Sequence, residues 1–312
     1  MIAKSMWYDV RGTAESRRYA GLMKASQRAF YAALIGIALI TIGLPAATAK
    51  GQLLAAKSRT VAHSAPATAG GAVYPQFKCA NGLTSRWIHE QMPFKVWMAR
   101  GLSLDKIIDP ASGAPVMNTA NTAHWPDAVI NVMANQEQLN TLPIAELYSD
   151  QQYQAALQGI TSWKALEKEG LYSFEITDNP EDADVYVFWT NHFVNKMGLA
   201  LFENDIRGLT ARYLLPVRDV VAAIQRNDLE TVRRSRKPVV ILLRTAESDG
   251  TPINLGKMKA AAAHEFGHAL GIDGHSPFPG DLMSIYYGRG VISPNDAATM
   301  RYVYRHPADL MP

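Results

Sequence analysis

The sequence contains one cysteine, Cys79, in 312 residues. A single thiol excludes an intramolecular disulfide and any metal site built from several thiolates. Charged residues make up 19% of the chain and apolar residues 48%, which is typical of a folded globular protein and excludes overall disorder, collagen and a coiled coil. The sequence has no internal repeat, and its length is sufficient to bury a substantial core.

The excess of positive charge in the whole sequence is confined to its first 49 residues. Residues 1–49 hold six basic and two acidic side chains, a net +4, so residues 50–312 carry −1 of the formal total of +3. The mildly basic character therefore belongs to the N-terminal segment and does not indicate a nucleic-acid-binding surface. We expect no nucleic-acid partner.

No charged residue lies between Arg28 and Lys50, and residues 29–44 are almost wholly apolar. Basic residues precede this run, and the small residues 47–49 (Ala-Thr-Ala) that follow it have the form of a signal-peptidase site. The stretch is better proportioned as a signal if translation starts at Met23 rather than at Met1.

Residues 1–49 are therefore predicted to be a cleaved export signal. An uncleaved membrane anchor is the alternative, because 16–21 apolar residues can just span a bilayer. Either interpretation places the remaining chain outside the cytoplasm, as a secreted or periplasmic protein or as a domain attached to the membrane through this segment alone.

Residues 50–85 are rich in Ala, Ser, Thr and Gly and are predicted to be a flexible linker. Residues 86–312 are predicted to form one domain, in which residues 101–148 show no firm period and are expected to be a long irregular excursion. Helices are predicted at 150–170, 216–234, 257–270 and 294–305, and strands at 94–98, 171–176, 184–189 and 238–243.

The most informative stretch begins with His264 and His268, four residues apart on a predicted helix. This spacing projects both imidazoles from one face, where two nitrogens can bind the same tetrahedral zinc ion. Glu265 lies one step round the helix, from which a carboxylate can reach a metal-bound water without ligating the metal. A histidine pair alone is often only a surface feature, so the residues that follow decide the interpretation.

Gly271 can adopt the left-handed conformation that ends a helix and turns the chain back. His275 can then supply a third ligand, leaving a fourth position for water, as in catalytic rather than structural zinc sites. Asp273 is the competing third ligand. His275 is favoured because a neutral imidazole suits zinc and Gly274 gives the loop freedom to orient it.

Residues 264–283 resemble the active-site motif of the metzincin zinc peptidases, and within them of the matrixins, which read HExxHxxGxxH before a Met-containing turn. The third histidine comes one residue late here, because position 274 is glycine, so the motif reads HExxHxxGxxxH. Met283 corresponds to the Met-turn residue, a hydrophobic floor beneath the zinc. The resemblance covers about residues 86–306 and implies an α+β fold in which a twisted mixed sheet packs on long helices and the active-site helix forms the floor of a cleft.

This resemblance implies an exported zinc-dependent metalloendopeptidase that hydrolyses proteins or peptides with a zinc-activated water and Glu265 as general base. A noncatalytic zinc- or peptide-binding protein on the same fold is the alternative, which Glu265 disfavours because metal retention does not require that carboxylate. A membrane-anchored assembly factor with a vestigial site is a third alternative. We expect a monomer.

Calcium is a second cofactor implied by the resemblance, since matrixins bind it in acidic loops. The acidic residues here fit no recognised calcium-loop spacing, and a solvated turn is the preferred interpretation of Asp178, Glu181, Asp182 and Asp184. Some metzincins also place a zinc-contacting tyrosine two residues after the methionine, where this chain has Ile285. Packing is therefore expected for Tyr286 and Tyr287. The surroundings of Cys79 do not resemble the inhibitory motif of matrixin precursors, so we expect an unpaired thiol.

Overall fold

The computed structural model describes residues 71–108, 113–201, 206–228, 231–232 and 235–312. The predicted export signal or anchor over residues 1–49 lies outside these ranges, as does the first part of the predicted linker, residues 50–70. Within the described ranges, no helix combines the length and the apolar character needed to cross a membrane.

The described chain contains both strands and helices. In chain order the strands are β1 (Phe94–Ser103), β2 (Phe174–Thr177), β3 (Val185–Thr190), β4 (Phe193–Val194), β5 (Ala200–Leu201), β6 (Gly208–Ala211), β7 (Leu215–Pro216), β8 (Val239–Arg244) and β9 (Leu310–Met311). The α-helices described over their full length are α1 (Trp125–Met133), α2 (Gln136–Thr141), α3 (Asp150–Ser162), α4 (Lys164–Glu167), α5 (Val217–Gln225), α6 (Leu255–Leu270) and α7 (Pro294–Arg305). This mixed content is compatible with the expected α+β class.

A five-stranded, mostly parallel sheet with the order β2-β1-β3-β8-β6 lies at the centre. The first four strands of this order run parallel to their neighbours, and β6 pairs antiparallel with β8 at one edge. Every residue of β3 and β8 is buried, which is why their sequences are near-continuous apolar runs rather than alternating ones. The sheet therefore places β6 as an antiparallel edge strand beside α6.

Helix α6, the longest of the helices named above, packs on α3 across a very close contact. A Cβ atom at Gly159 of α3 would lie 2.3 Å from the carbonyl oxygen of Lys259, so glycine is what allows the two backbones to approach this closely. Trp163 ends α3 and donates its indole N–H to the carbonyl oxygen of Ala263 at 2.8 Å. The predicted helix over 150–170 is thus two helices, α3 and α4, separated at this tryptophan.

Two other stretches differ from the sequence prediction. The excursion predicted over 101–148 contains α1 and α2, and α1 buries Trp125, Val129 and Val132 in the main core. The helix predicted over 216–234 is described only as far as Gln225 in α5, where Asn227 at a φ of +55° interrupts regular helix. The first error comes from apolar residues whose packing partners are distant in sequence, because such partners leave no local period.

The linker prediction is wrong where the structure describes it. Residues 71–85 pack on the domain, with Tyr74 and Phe77 buried in the main core despite the Ala- and Gly-rich sequence around them. Ser85 forms a parallel bridge with Leu310, close to the other end of the described chain. Two aromatic side chains contribute to fixing this segment, and composition averaged over the stretch conceals them.

Candidate metal centre

Helix α6 carries the first two histidines of the motif and ends at Gly271. Gly271 has a φ of +130°, and a Cβ atom there would lie 2.3 Å from the carbonyl oxygen of Ser85, so both conformation and space require glycine. The last carbonyls of α6 all have donors: the indole of Trp87 binds that of Ala269, the hydroxyl of Tyr304 binds that of Leu270, and the backbone N–H groups after the helix bind the other two. This end of the helix is therefore fully satisfied.

His264, His268 and His275 come together beyond this helix end. Their nearest ring nitrogens lie within 4.8 Å of one another, and the Nε2 atoms of His264 and His268 are 3.1 Å apart. Metal–nitrogen bonds of about 2.0–2.1 Å at a tetrahedral angle would place two ligand nitrogens roughly 3.3 Å apart. The three histidines are close enough to bind one metal ion.

Hydrogen bonds fix which nitrogen of each helical histidine faces the centre. Nδ1 of His264 lies 2.8 Å from the carbonyl oxygen of Leu282, and Nδ1 of His268 lies 2.6 Å from that of Ile272. A carbonyl oxygen only accepts, so each Nδ1 carries the proton and each Nε2 keeps its lone pair. Two lone pairs that face each other at 3.1 Å repel unless a cation lies between them, and this donor set therefore suits a metal.

Burial keeps all three imidazoles neutral, as metal ligation requires. Desolvation lowers the pKa of His264 to about 4, and it holds the pKa of His268 well below the usual value for histidine. Desolvation also lowers the pKa of the less buried His275. None of the three rings needs to lose a proton before it binds a cation near neutral pH.

Glu265 lies between α6 and the edge strand β6, with only 3% of its surface exposed. The hydroxyl of Thr210 donates to its Oε2 atom at 2.8 Å. Burial raises the pKa of this carboxyl group to about 8, and the hydrogen bond from Thr210 opposes that rise. A cavity of about 510 Å³ is lined by Glu265, by the three histidines and by residues of β6.

Met283 is fully buried beneath the helix. A Cβ atom at Gly267, one residue before His268, would lie 2.3 Å from the Met283 sulfur, so glycine makes room for this side chain. The backbone carbonyl of Met283 accepts a hydrogen bond from the N–H of Ser276 at 2.7 Å, which closes the loop that contains it. Met283 therefore packs directly against the turn of α6 that carries the second histidine.

Asp296, at the start of α7, is a site residue that the sequence did not reveal. Its buried carboxylate accepts hydrogen bonds from the backbone N–H of Leu282 at 2.8 Å, from that of Ser293 at 2.9 Å and from the hydroxyl of Tyr74 at 3.1 Å. Leu282 is also the residue whose carbonyl orients His264. The sequence signal for Asp296 was a helix cap, which the structure contains, but its long-range partners could not be inferred from it.

The structure gives the two candidates for the third ligand different surroundings. His275 joins the cluster, whereas Asp273 forms an ion pair with Arg212, whose side chain is only 7% exposed and also binds the hydroxyl of Ser85. The N–H groups of Asp273 and Gly274 donate to the carbonyl oxygens of Phe77 and Gln76, both at 2.9 Å.

The same contacts explain why position 274 is glycine. A Cβ atom at Gly274 would lie 2.4 Å from the carbonyl oxygen of Gln76. The inserted residue is thus glycine because a segment from the start of the described chain runs directly against this loop. The backbone pairing with residues 76–77 fixes the loop that carries His275.

The two tyrosines after Met283 have different surroundings. Tyr286 is 60% exposed, whereas Tyr287 is buried and lines the cavity, with its ring centroid 4.5 Å from that of His264. The hydroxyl of Tyr287 accepts a hydrogen bond from the backbone N–H of Arg207, just before β6, at 3.2 Å. Tyr287 therefore ties the loop after Met283 to the edge strand and packs as expected. The same expectation is wrong for Tyr286, because its side chain is exposed.

The remaining candidates do not belong to the histidine cluster. In the acidic turn, Asp182 pairs with Lys95 at 3.4 Å and Asp184 with Arg236 at 2.7 Å, and among the described residues this turn forms no group of three or more metal ligands. Cys79 is half-buried, and burial raises the pKa of its thiol.

This arrangement of neutral imidazoles around one point, beside a buried carboxylate and an open cavity, can hold a metal ion and move a proton next to it. A scan against protein-family models finds none that matches the chain, and a search of curated proteins finds no significant match. The interpretation of the site therefore depends on its geometry and on the motif.

Proposed function

We propose that this chain is an exported zinc-dependent metalloendopeptidase with a metzincin-like, matrixin-type catalytic domain. The observation that carries the proposal is the convergence of three imidazole nitrogens within 4.8 Å, beside the buried carboxylate of Glu265 and under an antiparallel edge strand. A site that only stored metal would need neither the carboxylate nor the cavity.

His264, His268 and His275 would hold the zinc ion, and their three-nitrogen donor set is one that zinc accepts while keeping a fourth position open. When bound, zinc supplies a Lewis acid that lowers the pKa of water and polarises a carbonyl group. The carbonyl oxygens of Leu282 and Ile272 accept hydrogen bonds from the Nδ1–H groups and so orient the two helical ligands.

Glu265 is the residue proposed to move protons. Its carboxylate would accept a proton from the attacking water and pass it to the nitrogen of the departing amine. Burial raises the pKa of this group to about 8, so its ionised form is a stronger base than the carboxylate of an exposed glutamate. No covalent bond between enzyme and substrate is needed in this scheme.

The proposed substrate is a protein or peptide in an extended conformation. Strand β6 lies at one edge of the central sheet, and its residues Leu209, Thr210 and Ala211 line the cavity. An edge strand presents backbone groups with which an extended peptide can pair. Such pairing would hold a peptide bond across the histidine cluster.

Hydrolysis of denatured proteins by the purified full-length chain tests this function. New amino termini would be counted for the wild type, for Glu265→Ala and for Glu137→Ala, a control that removes an exposed carboxylate from α2. We expect cleavage by the wild type and the control, and a loss of at least about 100-fold in the Glu265→Ala variant, with zinc content unchanged.

Equal cleavage by the wild type and Glu265→Ala would contradict the role of Glu265. Absence of cleavage in all three proteins, each carrying zinc, would favour the noncatalytic zinc- or peptide-binding protein instead.

A further inference from the structure

Two residues of β6, Gly208 and Thr210, both contact the side chain of Glu265. Residues two apart in a strand point to the same face of the sheet, so these two positions form one surface against α6. Glu265 is therefore in contact with the edge strand as well as with its own helix.

Thr210 contacts the carboxylate through its hydroxyl group. Its Oγ1 atom lies 2.8 Å from Oε2 of Glu265 and 2.9 Å from the backbone carbonyl oxygen of the same residue. A hydroxyl group has one proton to donate, and when Glu265 is ionised, as a general base must be, its carboxylate oxygen is the stronger acceptor of the two. In the described part of the chain, no other side chain donates to this carboxylate.

Gly208 limits the space on the other side of the carboxyl group. A Cβ atom at this position would lie 2.4 Å from Cγ and 3.0 Å from Oε1 of Glu265. Any larger residue would displace the glutamate side chain from its place against the strand. The absence of a side chain at Gly208 and the hydroxyl of Thr210 together select one position for the carboxylate.

We propose that β6 orients the general base, with Thr210 as the positioning residue for Glu265. This inference rests on the proposed function, because it concerns the same proton transfer. With Oε2 held by the hydroxyl group, Oε1 is the atom that remains to exchange a proton at the cavity. The hydroxyl is engaged by the glutamate and not by the substrate, so its loss should affect turnover and leave substrate binding unchanged.

A matched set of variants in the full-length chain tests this role. Thr210→Val keeps the branched shape and removes the hydroxyl, Thr210→Ser keeps the hydroxyl, and Thr161→Val removes a hydroxyl that binds the Leu157 carbonyl on α3. We expect Thr210→Val to lower kcat by roughly 10- to 100-fold with KM unchanged, since hydrogen bonds to charged groups are the strong ones. Thr210→Ser is expected within about threefold of wild type.

A wild-type kcat in Thr210→Val would overturn the proposal, and so would an equal loss in Thr210→Ser or a change confined to KM. Crystal structures of the wild type and Thr210→Val provide a readout that needs no activity. We expect the Glu265 carboxylate to leave its position against β6 in the variant, and an unmoved carboxylate would contradict the inference. If the wild type cleaves no substrate, the proposed function fails, and the crystal structures still decide whether Thr210 positions Glu265.

Discussion

The two halves of the histidine cluster are held by different kinds of structure. His264 and His268 belong to α6, a buried helix whose period alone brings their rings to one face. His275 belongs to a loop without regular structure, which is fixed by backbone hydrogen bonds to residues 76–77. A local rule thus generates two ligands, and contacts over about 200 residues of sequence supply the third.

The largest expected effect is the loss of zinc affinity when the third ligand is removed. His275→Ala should reduce zinc affinity by more than the roughly 10- to 100-fold that loss of an outer hydrogen-bonding partner costs. Asp273→Asn should stay within that range, because Asp273 pairs with Arg212 and lies outside the cluster. Competition with a chelator of known affinity measures both variants. A greater loss of zinc affinity in Asp273→Asn than in His275→Ala would make Asp273 the third ligand.

The helical half of the cluster should make the metal-free protein sensitive to acid. Burial lowers the pKa of His264 to about 4, below the ordinary value near 6.5, so the unfolded chain takes up the proton first. The contribution of the neutral His264 ring to the free energy of unfolding is complete above about pH 6.5. It is lost as the pH falls towards about 4, and the loss amounts to about 3 kcal/mol.

Urea unfolding in the presence of a chelator, at several pH values between 7.5 and 4, would measure this loss. His264→Gln should reduce the pH dependence, and the remainder should come from His268 and His275, whose pKa values burial also lowers. His89→Gln, at an exposed position, should leave it unchanged. An equal slope in wild type and His264→Gln would contradict the assignment to this residue.

A smaller effect is expected from the glycine inserted in the loop half. Gly274→Ala would place a Cβ atom 2.4 Å from the carbonyl oxygen of Gln76, and the resulting displacement should lower the free energy of unfolding by about 1–3 kcal/mol. Gly280→Ala is the matched control, because a Cβ atom there meets nothing within 4 Å. Equal unfolding midpoints for the two variants would show that segment 76–77 does not constrain the loop.

The same division explains what could be predicted from the sequence. The buried strands β3 and β8, the helix α6 and the cap at Ser293 follow local patterns, and their predicted bounds lie within two residues of the observed ones. Asp296 and Tyr74 could not be assigned to the site, because they are separated by 222 residues and their hydrogen bond leaves no local signal. The packing of residues 71–85 was missed for the same reason.

Within the site, the sequence predicts those residues whose positions follow from a fixed spacing along the chain. The Glu265 position follows from helical geometry, whereas its contacts with Gly208 and Thr210 depend on which strand lies beside α6. A short strand of four residues with half-buried side chains gives no indication of its neighbour. Predicting these partners needs the sheet order, which periodicity does not provide.

The pairing of Gln76 and Phe77 with the loop before His275 has a consequence for the order of events during synthesis. The third ligand is fixed by residues near one end of the described chain, and the loop after it is anchored on Asp296, near the other end. A growing chain can form α6 with two histidines in place, but the complete centre has to wait for α7. The proposed metal centre would therefore be complete only after α7 has been synthesised and has joined α6 and residues 76–77.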